Sequence, residues 1–332
     1  MKKPTPLVEI AAMGRYLPDN IVTNDDLAQG MDTSDEWIFS RTGIRERRIS
    51  PPEGLGAAAM GAAAARQAMQ RAGIEPGEVD ILILSTATPD RWLPSTACDA
   101  QALLGCTNAV AFDIMAACSG FIYGLSMAEG YLAAGRGEIA LVISTEKMSS
   151  IVDWEDRTTS VLFGDGAGAA VVRLANGANR GILSSHLRSD GNLADLLNRP
   201  GGGAQHPMSQ AVLDDRSYLV RMNGREIFKN AVRSMADACE RALAQAGLTA
   251  DDIDLLVPHQ ANIRIIEATA KYAGIPMDKV YVNVDRYGNM SSATVPVALD
   301  EAVEQGLIRP GSHVLIVAFG AGLTWGAMAL RW

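Results

Sequence analysis

Residues 66–90, RQAMQRAGIEPGEVDILILSTATPD, have a close counterpart in residues 240–264, ERALAQAGLTADDIDLLVPHQANIR. Each stretch predicts an amphipathic helix, an Ala-Gly pair that ends the helix, a short acidic turn and a buried strand. Gly73 aligns with Gly247, so the two stretches are offset by 247 − 73 = 174 residues. Helical patterns alternate with short Val/Ile/Leu runs along the rest of the chain, which indicates an α/β architecture.

A second pair of stretches keeps the same offset. GEIALVIS begins at Gly137 and GSHVLIVA begins at Gly311, again 174 residues later. Because two matches occur in the same order with one offset, we interpret the chain as two similar halves, residues 1–174 and 175–332.

Residues with reactive side chains fall at the ends of predicted elements in both halves. Cys118 precedes an apolar helical stretch in DIMAACSGFIYGL, and its counterpart at the same offset is Ser292 in GNMSSATVPVALDEA. His259 directly follows the buried run DLLVP, and Asn289 follows a glycine. Sites in α/β sheets form at such ends, so we expect Cys118, His259 and Asn289 to converge on one pocket.

Each of these three residues also has a purely structural interpretation. A buried cysteine is usually an inert small hydrophobe, a histidine near a strand end is often a hydrogen-bonded core residue, and asparagine after glycine often caps a turn. The functional interpretation of Cys118 is a thiol at a helix N-terminus. The helix dipole stabilises a thiolate there, which predicts a depressed pKa and a nucleophile.

Composition and charge exclude several classes of protein. The 332 residues are 48% hydrophobic and 20% charged, which is typical of a globular core. A net charge of −9 without a long basic run argues against a nucleic-acid partner. The longest apolar runs are broken by glycine, so no membrane span is predicted, and the N-terminus is interpreted as a first strand rather than a signal peptide. The four cysteines match neither a disulfide framework nor a metal site, and we expect a cytoplasmic protein.

Two glycine-rich stretches, FGDGAGAA and FGAGLTWG, raise the question of a dinucleotide site. Gly164, Gly166 and Ala169 fit G-x-G-x-x-A, but the acidic residue expected after a second strand is missing. We therefore interpret both stretches as turns that bring backbone N–H groups close to a reacting carbonyl oxygen.

A basic stripe is predicted where Arg225, Lys229 and Arg233 recur every four residues. One interpretation is a solvated helix face paired with acids such as Glu226. The other is a docking surface for an acidic partner, which an acidic protein requires as a local patch.

Six motifs are spread over the chain: DTSDEWIFSRTGIRERRI, AACSGF, DRTTSVLFGDGAGA, PHQANIRII, RYGNMSSATVPVALDEA and GAGLTWG. Together they resemble β-ketoacyl-acyl carrier protein synthase III, of the thiolase-like condensing enzymes. The resemblance covers essentially the whole length. It implies an α/β, thiolase-like, duplicated five-layered α-β-α-β-α fold, in agreement with the internal repeat.

The resemblance implies an acyltransferase that starts fatty acid synthesis. Cys118 takes an acyl group from an acyl-CoA, and His259 and Asn289 donate hydrogen bonds to the thioester carbonyl of malonyl-acyl carrier protein. That contact stabilises the enolate formed when carbon dioxide leaves, and the enolate attacks the acyl group to give 3-ketoacyl-acyl carrier protein. The backbone N–H groups of Cys118 and Ala321 serve the oxyanion, and neither metal nor cofactor is implied, since the CoA thioester is a substrate.

The resemblance also assigns binding residues. Trp37 and Arg157 sandwich the CoA adenine, and other CoA-tunnel positions are Arg41, Gly224 and Asn262. The docking surface for carrier protein includes Lys229 and Arg264, which extends the basic stripe of Arg225 and Arg233. The family forms homodimers, in which Leu93 caps the partner's acyl pocket.

Three departures from the family's pattern accompany this assignment. Leu93 replaces a phenylalanine, which suggests longer or branched primers. Ala321 replaces the middle glycine of a run, so its Cβ limits the loop if the position needs a positive φ. Residues 198–217 predict a loop longer than is usual in the family, which either reshapes the tunnel mouth or is mobile.

Other functions remain as alternatives at this point. A paralogue that condenses or transfers acyl groups in specialised, polyketide- or quinolone-type metabolism keeps the same three residues. A hydroxymethylglutaryl-type synthase lacks its glutamate motif here. A degenerate subunit that only binds carrier protein is disfavoured because Cys118, His259 and Asn289 are all intact.

Overall fold

Two sheets form the centre of the protein in the computed structural model, which describes residues 7–177 and 180–332. The described strands are β1 (Val8–Tyr16), β2 (Ile21–Thr23), β3 (Glu46–Arg48), β4 (Ile81–Ser85), β5 (Val110–Ile114), β6 (Ile139–Lys147), β7 (Asp165–Leu174), β8 (Gly181–Ser189), β9 (Leu197–Asn198), β10 (Arg221–Met222), β11 (Leu255–Pro258), β12 (His313–Gly320) and β13 (Thr324–Arg331). The described α-helices are α1 (Asn24–Ala28), α2 (Asp35–Thr42), α3 (Ala57–Ala72), α4 (Thr96–Leu104), α5 (Gly120–Ala133), α6 (Gln210–Asp214), α7 (Gly224–Ala246), α8 (Ile263–Ala273), α9 (Val284–Tyr287) and α10 (Thr294–Glu304). No helix within the described ranges is both long and apolar enough to cross a membrane.

The larger sheet has the strand order β1-β7-β6-β4-β5, and the smaller sheet has the order β11-β12-β13-β8. β4 runs parallel to β5 and β6, whereas β7 is antiparallel to β1 and β6. In the smaller sheet β11 is parallel to β12, and β13 is antiparallel to β12 and β8. The larger sheet takes its strands from residues 8–174 and the smaller from residues 181–331. The boundary between residues 174 and 175 stays a prediction.

The middle layer consists of α5 and α10, which pack between the two sheets. Phe121 and Leu125 of α5 and Leu299 of α10 form one buried cluster with Val142 of the larger sheet and Ile316 of the smaller. Each fully buried side chain of this kind contributes about 1.5–3 kcal/mol, so the shared layer holds the sheets together. Helices α3 and α4 cover the outer face of the larger sheet, and α7 and α8 cover that of the smaller. The layers run α-β-α-β-α, and the predicted fold class is confirmed.

The repeat is visible at individual residues of the structure. β4 begins at Ile81 and β11 begins at Leu255, the same offset as in the sequence. Helices α3 and α7 both end at a glycine in the left-handed region, Gly73 with φ 67° and Gly247 with φ 70°. A residue with a Cβ is strained in that conformation, which explains why glycine ends both helices.

The repeat extends to two short 3-10 helices, Ala117–Ser119 and Ser291–Ala293. Each starts with a non-glycine residue at positive φ, 45° for Ala117 and 46° for Ser291. Such backbone strain is uncommon outside functional sites. The two strained turns lie at corresponding positions of the repeat and contact each other in the centre of the molecule.

One glycine-rich stretch differs from the prediction. FGDGAGAA is not a turn, because most of it belongs to strand β7. A Cβ on Gly168 would lie 2.7 Å from Cβ of Pro296 in α10. The glycine therefore serves close strand–helix packing, and the interpretation of this stretch as a carbonyl-binding turn is wrong.

Residues 198–217 also differ from a plain loop. The segment follows β9 and includes helix α6. Ser209 precedes this helix, and its side-chain hydroxyl accepts a hydrogen bond from Val212 N. It returns to β10, which pairs with β9. The excursion thus has its own hydrogen-bonded structure.

Candidate active site

The nucleophile candidate lies between β5 and α5, at the centre of the middle layer. Cys118 is 7% exposed, and its thiol donates to the Ser291 hydroxyl with an Sγ–Oγ distance of 3.6 Å. The strained residue Ala117 turns the chain immediately before it. The contact joins the two corresponding short helices of the repeat, so the local backbone strain places Cys118 against the second half of the chain.

The predicted depressed pKa of Cys118 is wrong. Burial is the main reason that the pKa of the thiol is raised to about 12. The hydrogen bond with Ser291 lowers this pKa, and the charge of Glu146 raises it. The helix-terminus argument considered only local backbone dipoles, whereas the loss of water around a buried thiolate costs more. At neutral pH Cys118 is a thiol, and its reaction requires a proton acceptor.

His259 follows β11 directly and is buried. Its backbone N–H donates to Val317 O at 2.8 Å, and Nδ1 lies 2.6 Å from the Thr294 hydroxyl. Burial lowers the pKa of His259 to about 3, so the imidazole is neutral at physiological pH. The Thr294 hydroxyl also donates to Ser291 O at 3.0 Å, and in that arrangement it accepts from Nδ1–H, which leaves Nε2 an unprotonated acceptor. When the hydroxyl proton turns to Nδ1 instead, the ring proton resides on Nε2, which is then a donor. Nε2 makes no hydrogen bond within residues 7–177 and 180–332.

Asn289 is held by its carbonyl side. The side-chain Oδ1 accepts from Ser291 N at 2.8 Å, and the backbone N–H donates to Leu162 O at 2.8 Å. The predicted turn-capping role is therefore present. Because Oδ1 is occupied in this way, the Nδ2 amide group is left to donate elsewhere.

Two cavities share Cys118 as a common wall. The smaller, about 150 Å³, is lined by Cys118, His259 and Asn289 together with apolar residues of α7. The larger, about 410 Å³, is lined mainly by apolar groups, including Met148 and Val220. The three predicted residues thus converge on one pocket, as the sequence indicates, and a second chamber opens on the other side of the sulfur.

The turn between β12 and β13 approaches the nucleophile from the larger cavity. A Cβ on Gly320 would lie 2.7 Å from Cys118 N, so only glycine fits there. Thr324 Oγ1 lies 2.9 Å from Ala116 O and 3.1 Å from Ala321 O, which ties the turn to the loop of Cys118. Ala321 does not have a positive φ, so its Cβ creates no backbone strain.

The residues predicted to bind CoA fall into two groups. Arg41 and Arg157 both stack on Trp37, with Cζ 4.5 Å and 5.0 Å from the ring centre. Gly224 and Asn262 line the smaller cavity beside the catalytic candidates. The first group lies on the surface and can stack a flat base, and the second lies deeper.

Comparison with known proteins agrees with this geometry. The family description "3-Oxoacyl-[acyl-carrier-protein (ACP)] synthase III" matches residues 112–191, and the description of its C-terminal part matches residues 243–332. A relative from Symbiobacterium thermophilum named beta-ketoacyl-[acyl-carrier-protein] synthase III is 50% identical over 325 residues, 98% of each chain. The chain belongs to the 3-oxoacyl-[acyl-carrier-protein] synthase III family. It is accordingly an acyltransferase of the condensing type, as predicted.

Solved structures of the synthase family superpose over the whole chain. The enzyme from Aquifex aeolicus has a TM-score of 0.91 at 46% identity, covering 98% of this chain and 100% of that one. The priming β-ketosynthase of the R1128 polyketide pathway has a TM-score of 0.90 at 36% identity, covering 100% of this chain and 98% of that one. The fold therefore agrees with the family assignment. The identity to the Aquifex synthase III is higher than the identity to the polyketide ketosynthase.

The basic stripe of this synthase lies exposed on α7. Lys229 Nζ is 3.9 Å from Glu226 Oε2, so this lysine has the acidic neighbour that a solvated helix face predicts. Arg264, on α8, donates to Ser40 O. Sequence reasoning missed a groove beside the stripe, between α7 and α8. Lys229 and Arg233 line this groove together with three exposed side chains, Phe228, Lys271 and Tyr272.

Leu93 does not line the cavity of its own chain. It is 86% exposed, whereas its neighbour Trp92 lines the larger cavity. This placement leaves Leu93 available to another subunit.

Three residues that organise the site escaped the sequence analysis: Ser291, Thr294 and Glu146. Ser291 and Thr294 contact Cys118 and His259, and they sit beside Ser292, the repeat counterpart of Cys118. The hydroxyl-rich run at that corresponding position is the signal that could have found Ser291 and Thr294, whereas no such signal marks Glu146.

Proposed function

We propose that this synthase condenses an acyl-CoA primer with malonyl-acyl carrier protein through an acyl-Cys118 intermediate, giving 3-ketoacyl-acyl carrier protein. The observation that carries the proposal is the position of Cys118 as the shared wall of two cavities, with neutral His259 and the Asn289 amide on one side. One cavity suits a chain that stays on the sulfur, and the other suits thioesters that arrive and leave.

In the first half-reaction Cys118 attacks the primer thioester. Because the thiol is protonated at neutral pH, its proton must move. Neutral His259 lines the same cavity, and its Nε2 is the acceptor in the tautomer in which Nδ1–H donates to Thr294 and Thr294 donates to Ser291 O. The oxyanion is served by the N–H groups of Cys118 and Ala321, and the proton ends on the departing CoA sulfur.

In the second half-reaction the malonyl thioester carried by acyl carrier protein occupies the smaller cavity. His259 Nε2–H and Asn289 Nδ2–H donate to its thioester carbonyl, and negative charge develops there as carbon dioxide leaves. Two neutral donors suffice because both are held in place, by Thr294 and Ser291. The enolate carbon then attacks the acyl carbonyl, the C–S bond to Cys118 breaks, and the released thiolate takes up a proton from solvent.

The two ends of the substrates are assigned by chemistry. Trp37, Arg41 and Arg157 take the adenine, and Gly224 and Asn262 line the path of the pantetheine arm. The larger apolar cavity takes the acyl chain, which favours primers longer than acetyl or branched ones. No further cofactor is needed, since the CoA thioester itself supplies the acyl group.

A homodimer completes the proposal. β5 is an edge strand of the larger sheet, and apolar side chains at its two ends are exposed, 55% for Val110, its first residue, and 66% for Met115, which follows it. An edge of this kind pairs readily with a second copy, which would bring Leu93 of each subunit to the acyl cavity of the other. The stripe of Arg225, Lys229 and Arg233, with Arg264, then remains free to dock the acidic carrier protein.

The alternative role in specialised metabolism is not favoured, because the higher identities are to synthases named for 3-oxoacyl-acyl carrier protein formation.

The test is the intact mass of the protein after incubation with acyl-CoAs of graded length. Wild type should gain one acyl group, Cys118→Ala none, and the control Cys239→Ala the same as wild type, because Cys239 is buried in another part of the core. The preferred length identifies the primer. If no acyl-CoA adds to wild type, the CoA-primed reaction is wrong.

A further inference from the structure

A fully buried carboxylate lies behind the nucleophile and lines neither cavity. Glu146 is the penultimate residue of β6. Its Oε2 accepts from Ala87 N at 2.9 Å and from the Thr88 hydroxyl at 3.0 Å. Its Oε1 accepts from Ser292, from Oγ at 2.7 Å and from the backbone N–H at 3.3 Å. No ion pair involves Glu146 among the described residues.

The partners of this carboxylate all act as donors. Ala87 and Ser292 present backbone N–H groups, which can only donate. The Thr88 hydroxyl donates to Glu146 Oε2 and accepts from Lys147 N at 2.8 Å. Burial raises the pKa of Glu146 above its ordinary value, although hydrogen bonds from Ser292, Ala87 and Thr88 act to lower it. Each contact in the set uses an acceptor oxygen of Glu146, so a side chain that replaces one oxygen with a donor breaks the set.

What Glu146 holds is the short helix Ser291–Ala293. Ser292 is its middle residue. Ser291, one position earlier, contacts the Cys118 thiol through Oγ and Asn289 Oδ1 through its N–H. Thr294, two positions later, contacts His259 Nδ1 at 2.6 Å. One carboxylate of the first half therefore anchors the segment that touches all three catalytic side chains.

We propose that Glu146 is a positioning residue for both half-reactions, which fixes the helix Ser291–Ala293 against the segment that follows β4. It touches no substrate and acts through Ser291 and Thr294. The inference rests on the proposed function for its catalytic part only.

The experiment compares Glu146→Gln, which keeps the length of the side chain but turns one acceptor oxygen into an NH2 donor, with Glu146→Asp, which keeps both acceptor oxygens. We expect Glu146→Gln to slow condensation about ten- to hundredfold in kcat, with KM for acyl-CoA unchanged, because one side of the hydrogen-bonded anchor is lost. We expect its Cys118 to react about three- to tenfold faster with iodoacetamide at pH 7, because the helix that carries Ser291 opens locally from the thiol. Glu146→Asp should recover part of kcat and part of the wild-type alkylation rate.

The restriction of faster alkylation to Cys118 separates local positioning from general loosening. Cys239 is fully buried elsewhere and reports loosening, and Ser144→Ala, on the same strand and same face, is the matched control that should change nothing. Equal acceleration of Cys118 in Glu146→Asp, acceleration of Cys239, or unchanged alkylation in Glu146→Gln overturns the proposal.

Two further points keep the test decisive. If Glu146→Gln does not fold, Ser292→Ala removes the anchor from the other side and should lower kcat about tenfold, with recovery in Ser292→Thr. An unchanged kcat in Ser292→Ala overturns the proposal. Because alkylation needs no condensation activity, failure of acyl-CoA to label wild type refutes the proposed reaction without deciding the role of Glu146.

Discussion

Replacement of Gly320 by alanine tests the contact between the β12–β13 turn and the loop of the nucleophile. The added Cβ would lie 2.7 Å from Cys118 N and 3.2 Å from Ala116 O. Ordinary contacts of a Cβ begin at 3.4 Å, so the two segments must separate by about 3.4 − 2.7 = 0.7 Å. Both neighbours are backbone atoms and cannot rotate away.

The separation should reduce activity and stability together. It displaces the N–H of Ala321 from the position of the oxyanion, and a displacement approaching 1 Å costs about a hundredfold in rate. Overpacking of this kind also lowers the free energy of unfolding by about 1–3 kcal/mol. We expect Gly320→Ala to form acyl-Cys118 about a hundredfold more slowly than wild type.

The assay is rapid-quench intact mass with the preferred acyl-CoA, together with chemical denaturation. Gly130→Ala is the control, since a Cβ at Gly130 of α5 meets nothing within 4 Å. It should acylate normally and gain about 0.5–1 kcal/mol in stability, because alanine favours a helix over glycine. If Gly320→Ala acylates within about threefold of wild type and unfolds at the same denaturant concentration, the reasoning from the turn is wrong.

Further predictions concern the other side chains of the site. His259→Ala and Asn289→Ala should slow malonyl decarboxylation about a hundredfold, measured as release of labelled carbon dioxide, and equal loss in Cys118 acylation by Asn289→Ala would contradict the assigned roles. Thr294→Val should lower kcat about tenfold and Thr294→Ser should restore it, because only the hydroxyl orients His259; failure of the serine variant would point to packing instead. Arg199 lines the otherwise mainly apolar larger cavity, half-buried, and Arg199→Leu should raise kcat/KM for longer acyl-CoAs, with no change expected for acetyl-CoA. The pKa of His259 is about 3 in the folded chain against 6.5 as the ordinary value. The unfolded chain therefore binds a proton as pH falls below 6.5, whereas the folded chain does not, so stability is lost in that direction. Between pH 6.5 and pH 5, chemical denaturation should show a loss about 2 kcal/mol smaller in His259→Gln than in wild type.

Much of the architecture follows from local patterns. The helices α3 and α7 end at Gly73 and Gly247 because the end of a helix needs a left-handed residue, and this signal is readable without a structure. The strands that follow are recognisable as short apolar runs. The offset of 174 residues then relates each position in one half to a position in the other, including the strained residues Ala117 and Ser291.

Glycine-rich stretches show where such patterns are ambiguous. Gly168 supplies room for Pro296 of α10, whereas Gly320 supplies room for the loop of Cys118. Both stretches look alike as sequence. Whether a missing Cβ makes a turn or a tight contact depends on which distant segment lies opposite, and this is fixed only by the packing of the layers.

The sequence alone predicted the duplicated α/β architecture from periodicity and repeat spacing, and it placed Cys118, His259 and Asn289 at element ends that should converge. The resemblance to the synthase family then singled these three residues out as catalytic, because residue type and spacing left a structural interpretation open for each. Only the tertiary structure decided the protonation of the nucleophile. It also decided which hydroxyls hold the histidine and the thiol, and the place of Glu146 behind them. These properties depend on burial and on contacts between residues more than a hundred positions apart, such as Glu146 with Ser292. The free energy of a charge is set by the groups and the water around it in space, and the order of residues along the chain does not record them.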